Sequence, residues 1–437
     1  AAHAERMRPG DAYLLNAPYN GGTHLPDMTV VSPVFDETGA DIRFFTGCRA
    51  HHADIGGISP GSMPAFSHRI EEEGLLFDGF LLVSNGRFRE RALRRKLESG
   101  PHPARNPAQN IADLRAQIAA NEHGARALRE LSDDLGEENV RAYMRHVQDN
   151  AEESVRRVIS RLRSGRFASR LDGGETIHLQ IEIDHESRTA DLDFTGTSPQ
   201  SAGNFNAPIS VARAAVLYAF RCMVDRPIPL NEGCFKPLRI RIPEGCLLHP
   251  VSPAAVVAGN VETSQCVTNT IFAAMGALAA SQGTMNNLTF GNARYQYYET
   301  ICGGAGAGPD FDGADAVQTH MTNSRMTDPE VIERRFPVVI VEFSIRSGSG
   351  GDGRHSGGNG VIRKIEFHES MEAAILSSHR LMGPFGLNGG APGLPGRNLV
   401  VRAGGECRQL GPTDRVRINP GDLIIIETPG GGGFGTP

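Results

Sequence analysis

An α+β fold, β-rich and built in several layers, is what this sequence predicts, with a helical insertion near residues 106–164 and a strand-rich C-terminal part. Three observations predict it. Short, branched apolar runs separated by glycine turns fill residues 9–90, two stretches with helical spacing occupy 106–164, and strand-like runs return after residue 335.

The elements follow in order. Residues 11–16, 28–35, 42–45 and 75–83 read as strands, the third leading into a pair of histidines. Ile111, Leu114, Ile118, Ala125 and Leu128 fall near one helical face, which Asp133-Asp134-Leu135-Gly136 ends. A second helix carries Val140, Met144, Val147, Ala151, Val155, Val158 and Leu162 on one face. Its acidic start (Glu137, Glu138) and basic end (Arg156, Arg157, Arg161, Arg163) suit the helix dipole. Ile177, Leu179, Ile181 and Ile183 alternate with polar residues, so 176–184 and 188–195 are expected to pair antiparallel with one face in water. Buried helices are expected over 210–222 and 263–280. Strands are expected over 338–345, 361–367, 373–376, 398–401 and 423–426. At 437 residues the chain exceeds what one core usually holds. The expected division is a β-rich metal-site region (1–100), a helical segment (101–170), an α+β substrate region (171–335) and a β-rich C-terminal domain (336–437).

Composition excludes several classes. Hydrophobic residues make up 39% and charged residues 22%, ordinary for a globular protein. A net charge of −6 argues against a nucleic-acid partner. No apolar run suits a membrane span, and no secretory signal pattern opens the chain. The seven cysteines are odd in number and scattered, with no CxxC pair, which fits neither a disulfide framework nor a zinc ribbon. Reduced cysteines and a cytoplasmic location are expected. The chain opens Ala-Ala-His and enters a strand-like run almost at once, so it is expected to be a piece of a longer polypeptide.

Two loops carry metal-like chemistry. Gly21-Gly22-Thr23-His24-Leu25-Pro26-Asp27 holds an imidazole and a carboxylate, and Ala50-His51-His52-Ala53-Asp54 follows one strand later. Such donors suit zinc, manganese or iron. One loop alone reads as well as surface histidines and turn-capping aspartates; two neighbouring loops favour a metal. A second group, over 259–325, is rich in amides and hydroxyls: Asn260 and Glu262 at a helix start, then Asn286, Asn287, Asn323 and Arg325. These side chains suit a small polar substrate bearing a carboxylate, although Thr263 or Ser264 as a helix cap explains part of the pattern. Gly303–Gly308 lacks the Lys-Ser/Thr of a phosphate loop, so ATP is expected to bind outside this chain. Cys302 beside those glycines has no evident base partner.

Longer stretches resemble a known family. They are Gly-Gly-Thr-His-Leu-Pro-Asp (21–27), Ala-His-His-Ala-Asp-Ile-Gly-Gly-Ile-Ser-Pro-Gly-Ser-Met-Pro (50–64), Asp-Leu-Arg-Ala-Gln-Ile-Ala-Ala-Asn (113–121), Gly-Asn-Val-Glu-Thr-Ser-Gln (259–265), Gln-Gly-Thr-Met-Asn-Asn (282–287), Tyr-Glu-Thr-Ile-Cys-Gly-Gly (298–304) and His-Met-Thr-Asn-Ser-Arg (320–325). In this order they resemble the hydantoinase B / 5-oxoprolinase family over nearly the whole chain. The resemblance implies the hydrolytic part of an ATP-dependent cyclic-amide hydrolase, acting on 5-oxoproline or a hydantoin. An ATP-binding hydantoinase A-type subunit or domain, in a hetero-oligomer, would phosphorylate the ring oxygen. Metal-assisted water attack would then open the ring. It also implies a divalent metal among His24, Asp27, His51, His52 and Asp54, with His52 and Asp54 as catalytic groups. Asn260, Glu262, Asn286, Asn287, Asn323 and Arg325 would hold the substrate. Two alternatives remain: a non-catalytic subunit completing the partner's site, and a carboxylase subunit like that of acetone carboxylase. Relatives usually carry aspartate where this chain has Ala17, and a further segment ahead of its first residue.

Overall fold

The computed structural model describes residues 6–437. Helix accounts for 26% of the chain and strand for 27%, with the strands in four sheets. The first sheet is antiparallel and uses β1 (Ala12–Leu15), β2 (Asp27–Phe35), β3 (Ile42–His51), β4 (Phe80–Ser84) and β5 (Arg87–Phe88), in the order β3-β2-β1-β4-β5. Leu14, Met28, Val30 and Leu82 are its fully buried residues. Two expectations shift here. Strand β3 runs to His51, well beyond residue 45, and only the end of 75–83 is strand.

Three helices follow: α1 (Glu90–Leu97), which the sequence pattern did not reveal, α2 (Pro107–Leu135) and α3 (Glu137–Ile159). Helix α2 begins with the Asn106 side chain accepting from the Gln109 amide and with Pro107 in its first turn. It ends at Gly136, whose φ of 82° a side chain would resist. Helix α2 lies on β2 and β3. Helix α3 buries Ala151, Val155 and Ile159 in the core of the second sheet.

That sheet comprises β6 (Gly165–Arg170), β7 (Thr176–Asp184), β8 (Thr189–Asp193) and β9 (Leu238–Arg241), with β8 and β9 parallel and the other pairs antiparallel. Ile177, Leu179 and Ile181 face inward, as their alternation requires. Helices α4 (Ile209–Cys222) and α5 (Ser264–Ala274) pack against this core. Helix α5 is entered through a π-turn at Gly259–Thr263. It stops short of residue 280 because the chain turns at Gly276, with φ 67°.

The remaining elements are β10 (Asn287–Gly291), β11 (Gln296–Glu299), α6 (Pro329–Arg335), β12 (Val338–Arg346), β13 (Gly360–Phe367), β14 (Met371–Leu376), β15 (Arg397–Val401), β16 (Cys407–Leu410), β17 (Thr413–Ile418) and β18 (Leu423–Glu427). They form two antiparallel sheets, β11-β10-β14-β17 and β12-β13-β18-β15-β16. The two sheets share one core that includes Leu288, Phe290, Ile365, Phe367, Ile375, Val400 and Ile426. Arg363 crosses it to Glu299 in a fully buried two-pronged ion pair, at 2.8 and 3.0 Å. Among the described residues no helix is long and apolar enough to cross a membrane. All seven cysteines are free.

Candidate metal centre

Strand pairing builds the centre. Asp27, the first residue of β2, lies opposite His51, the last of β3. His24 comes from the loop before β2, which is held tightly. Gly21 has φ 91°, and a Cβ on Gly22 would stand 2.5 Å from the Asn16 carbonyl oxygen. The Asn16 amide donates to the Leu25 and Leu75 carbonyls at 2.7 and 3.0 Å and accepts from the Phe77 amide at 2.7 Å. Ala17, where the resemblance leads one to expect aspartate, is buried in this loop, its carbonyl accepting from Asn20 and Gly22.

The three side chains converge. His24 Nδ1 lies 3.1 Å from Asp27 Oδ2, and His51 Nδ1 lies 3.2 Å from Asp27 Oδ1. The two imidazole rings are tilted by 30° with centroids 5.0 Å apart. One donor atom from each residue falls within 4.8 Å of the other two. His24 is buried, Asp27 half-buried and His51 exposed, so the cluster opens to solvent on one side. Burial works against the Asp27 charge. The adjacent His24 ring and hydrogen bonds from His51 and Thr23 outweigh it and hold the carboxyl far below the usual carboxylate range. The residues fit a divalent cation. Two imidazoles and a carboxylate are a recurring donor set for such ions. The buried Nδ1 of His24, although close to Asp27, is out of hydrogen-bond alignment and makes no hydrogen bond.

His52 and Asp54, the other two of the five candidate ligands, stand apart from the trio. His52 follows the end of β3 and is fully buried toward α2. Its Nδ1 accepts from the Asn110 amide at 3.0 Å and its Nε2 donates to Gln117 Oε1 at 3.1 Å. Burial lowers its pKa and keeps it neutral. Asp54 is saturated: Oδ1 accepts from the Gly56 and Arg105 amides, and Oδ2 from the Gly61 amide and the Arg105 guanidinium, at 2.8–3.0 Å. It closes the loop over 54–61 and offers no free lone pair toward a metal.

A model of the family described as hydantoinase B/oxoprolinase matches residues 1–437. The chain belongs to this family. The 5-oxoprolinase 1 of Arabidopsis thaliana is 46% identical over 99% of the chain, which covers 36% of that protein. The chain spans about a third of the length of the curated 5-oxoprolinases it matches. Among solved structures, the ATP-dependent caprolactamase from Pseudomonas jessenii superimposes with a TM-score of 0.87 at 25% identity, over 100% of this chain and 79% of that one. A nucleotide-free acetone carboxylase superimposes with a TM-score of 0.85 at 17% identity, over 98% of this chain and 65% of that one, and shows the shared fold.

The second group of expected site residues divides. Glu262, Asn286 and Asn287 are buried. Glu262 Oε1 accepts from the Met285 amide and from Asn287 Nδ2, and Asn287 Oδ1 accepts from the Tyr298 hydroxyl. Asn286 donates to Gln282 Oε1 and the Ile301 carbonyl and accepts from Arg380. Asn260 is half-buried, and Asn323 and Arg325 are exposed. Cys302 is buried, its thiol pushed up to about 11 by burial, and is no nucleophile at neutral pH. Three residues beside the centre escaped the sequence reading: Asn110, Gln117 and Asn121 of α2. All three are buried, and Gln117 Nε2 donates to the Met28 and Cys48 carbonyls. The signal was available, since they lie on the helical arc of Ile111 and Leu114.

Proposed function

We propose that this chain is the hydrolytic part of an ATP-dependent hydrolase that opens cyclic amides, with His24, Asp27 and His51 holding a divalent cation. The observation that carries the reading is the convergence of these three side chains around a buried His24 nitrogen without a hydrogen bond. When bound, the cation supplies a Lewis acid that makes water a competent nucleophile near neutral pH. Thr23 donates to Asp27 Oδ2 at 2.6 Å and fixes the carboxylate plane. His52 anchors the end of β3 to α2 and so holds His51 in place. The exposed side of His51 is where a ring would approach.

An amide carbonyl is a poor electrophile. Phosphorylation of its oxygen provides a leaving group, and that step belongs to an ATP-binding hydantoinase A-type subunit or domain. Relatives named 5-oxoprolinase make 5-oxoproline, opened to glutamate, the first substrate to assay. Asn260, Asn323 and Arg325 are the members of the second group left accessible to a substrate carboxylate.

The test is elemental analysis for zinc, manganese and iron, with turnover measured together with the ATP-binding partner. Asp27→Ala and His51→Ala should each strip the metal and cut turnover by about 100-fold or more. His52→Gln should retain most of the metal. Full metal content and turnover in the Asp27→Ala/His51→Ala double variant would overturn the reading.

A further inference from the structure

A cavity of about 630 Å³ lies at the far end of α4 from the trio. Ser210, in the first turn of α4, donates to the Gly22 carbonyl next to the metal loop. Tyr218 and Cys222, which line the cavity, follow about 12 and 18 Å further along the helix. The volume falls within the range of about 300–1,000 Å³ found for small-molecule sites. Tyr218, Phe272, Leu278 and Phe311 supply apolar and aromatic walls.

The polar lining is unusual in what it leaves unpaired. Thr319 is 5% exposed, and its Oγ1 is buried without a hydrogen bond. The Gln318 amide nitrogen donates to the Thr300 carbonyl at 3.1 Å, which leaves Oε1 buried and unpaired. His320 donates through Nε2 to Asn269 Oδ1 at 2.9 Å, so its Nδ1 is an acceptor. Asn269 is fixed in that role, because its own amide nitrogen donates to the Ser281 carbonyl. Ala316 and His320 adopt left-handed backbone (φ 52° and 50°), a cost often accepted where side chains are held for a ligand. None of the described lysines or arginines lines the cavity, whereas the exposed Asp310 and Asp312 do.

We propose that this cavity is a second binding site, for a neutral or cationic ring compound that carries N–H donors. The ring lies against Tyr218, Phe272 and Phe311. An N–H group of the ring meets His320 Nδ1, the acceptor that the protein leaves unpaired on the cavity wall. The acidic rim and the lack of a cation turn anions away.

The test is titration of the full chain with three probes of similar size: indole, benzamidine and benzoate. Indole and benzamidine should bind saturably, and benzoate at least about ten times more weakly. Met223→Trp, at the rim where Met223 is 37% exposed, should fill the mouth and abolish binding of both. His320→Phe keeps a ring and removes the acceptor, and should weaken benzamidine by about fivefold. Asp27→Ala should leave all three affinities unchanged, which separates this site from the metal centre. Equal binding of benzoate, no saturable binding of either donor probe at millimolar concentration, or binding indifferent to Met223→Trp and His320→Phe would each overturn the proposal.

Discussion

Glu262 is fully buried, and only one of its carboxyl oxygens is aligned with donors: Oε1 takes the Met285 amide at 2.9 Å and Asn287 Nδ2 at 2.8 Å. Burial pushes its pKa up to about 7, against the pull of Thr284, the Met285 amide and the Arg380 cation. A carboxyl whose folded pKa lies above its ordinary value near 4.5 binds its proton more tightly when folded. Its contribution is therefore complete below about pH 4.5, declines as pH rises toward 7, and is level above that. Glu73 is raised to about 7 as well and slopes the same way. Glu262→Gln should remove about half of this decline, at most about 3 kcal/mol. Unfolding midpoints between pH 5 and 8 will check this, and an unchanged slope would refute it. Glu262→Ala should remove the same part of the slope and in addition leave the Met285 and Asn287 donors without an acceptor, so its cost should be about 3 kcal/mol or more near pH 5 and smaller at pH 8. At the same scale, adjacent residues have different fates. In the sequence His51 and His52 look interchangeable as ligands. Side chains at successive strand positions point to opposite faces. His51 therefore joins Asp27 while His52 turns to α2, a separation the strand period could have announced once β3 was carried to its true end.

Helix α2 shows what a pattern of apolar residues leaves out. Asn110, Gln117 and Asn121 are polar residues on the arc of Ile111 and Leu114, and they are 2–3% exposed. They face the sheet because β2 and β3 present acceptors there: Gln117 donates to the Met28 and Cys48 carbonyls, and Asn121 to the Val30 carbonyl and the Ser32 hydroxyl. Gln117→Leu fills the volume but leaves two carbonyls and the His52 Nε2–H without partners. It should lower stability by about 2–4 kcal/mol, read as a drop in the urea midpoint. A midpoint within error of the parent would show that water replaces the amide. Strands β7, β8, β12, β13, β15 and β18 were legible because apolar side chains alternate or cluster there. Strands β10, β11, β16 and β17 were not. Asn287 and Gln296 give the first hairpin a loop-like composition, and Arg408, Arg415 and Arg417 mask the alternation of Leu410, Val416 and Ile418. Pairing, which the local sequence does not contain, decides those elements.

At the scale of the whole molecule, glycine loops far apart in sequence are stacked backbone on backbone. The run Gly430–Gly433 is the hub. Gly431 donates to the Gly358 carbonyl and accepts from Gly351, while Gly432 donates to Ala280 and accepts from Ala307. Gly358 in turn donates to Ala305, and Gly433 to Ala391. The C-terminal residues therefore join the segment after α5 to the loops that precede β13 and β15. No side chain fits between these layers. A Cβ on Gly431 would stand 1.8 Å from the Ala305 carbonyl oxygen, and on Gly430 1.9 Å from that of Ser349. The sequence announces close approach through its glycine clusters, but not which segments approach, because that is fixed only when distant loops meet. Gly431→Ala must push backbone apart in at least two layers, and should destabilise by more than about 3 kcal/mol or abolish folded yield. Gly404→Ala is the matched control. A Cβ there meets nothing within 4 Å, so the change should stay within about 0.5 kcal/mol. Thermal unfolding of the two variants side by side checks the argument. Equal midpoints would mean that the glycine stack yields to a methyl group, and that the C-terminal run is not what holds these loops together.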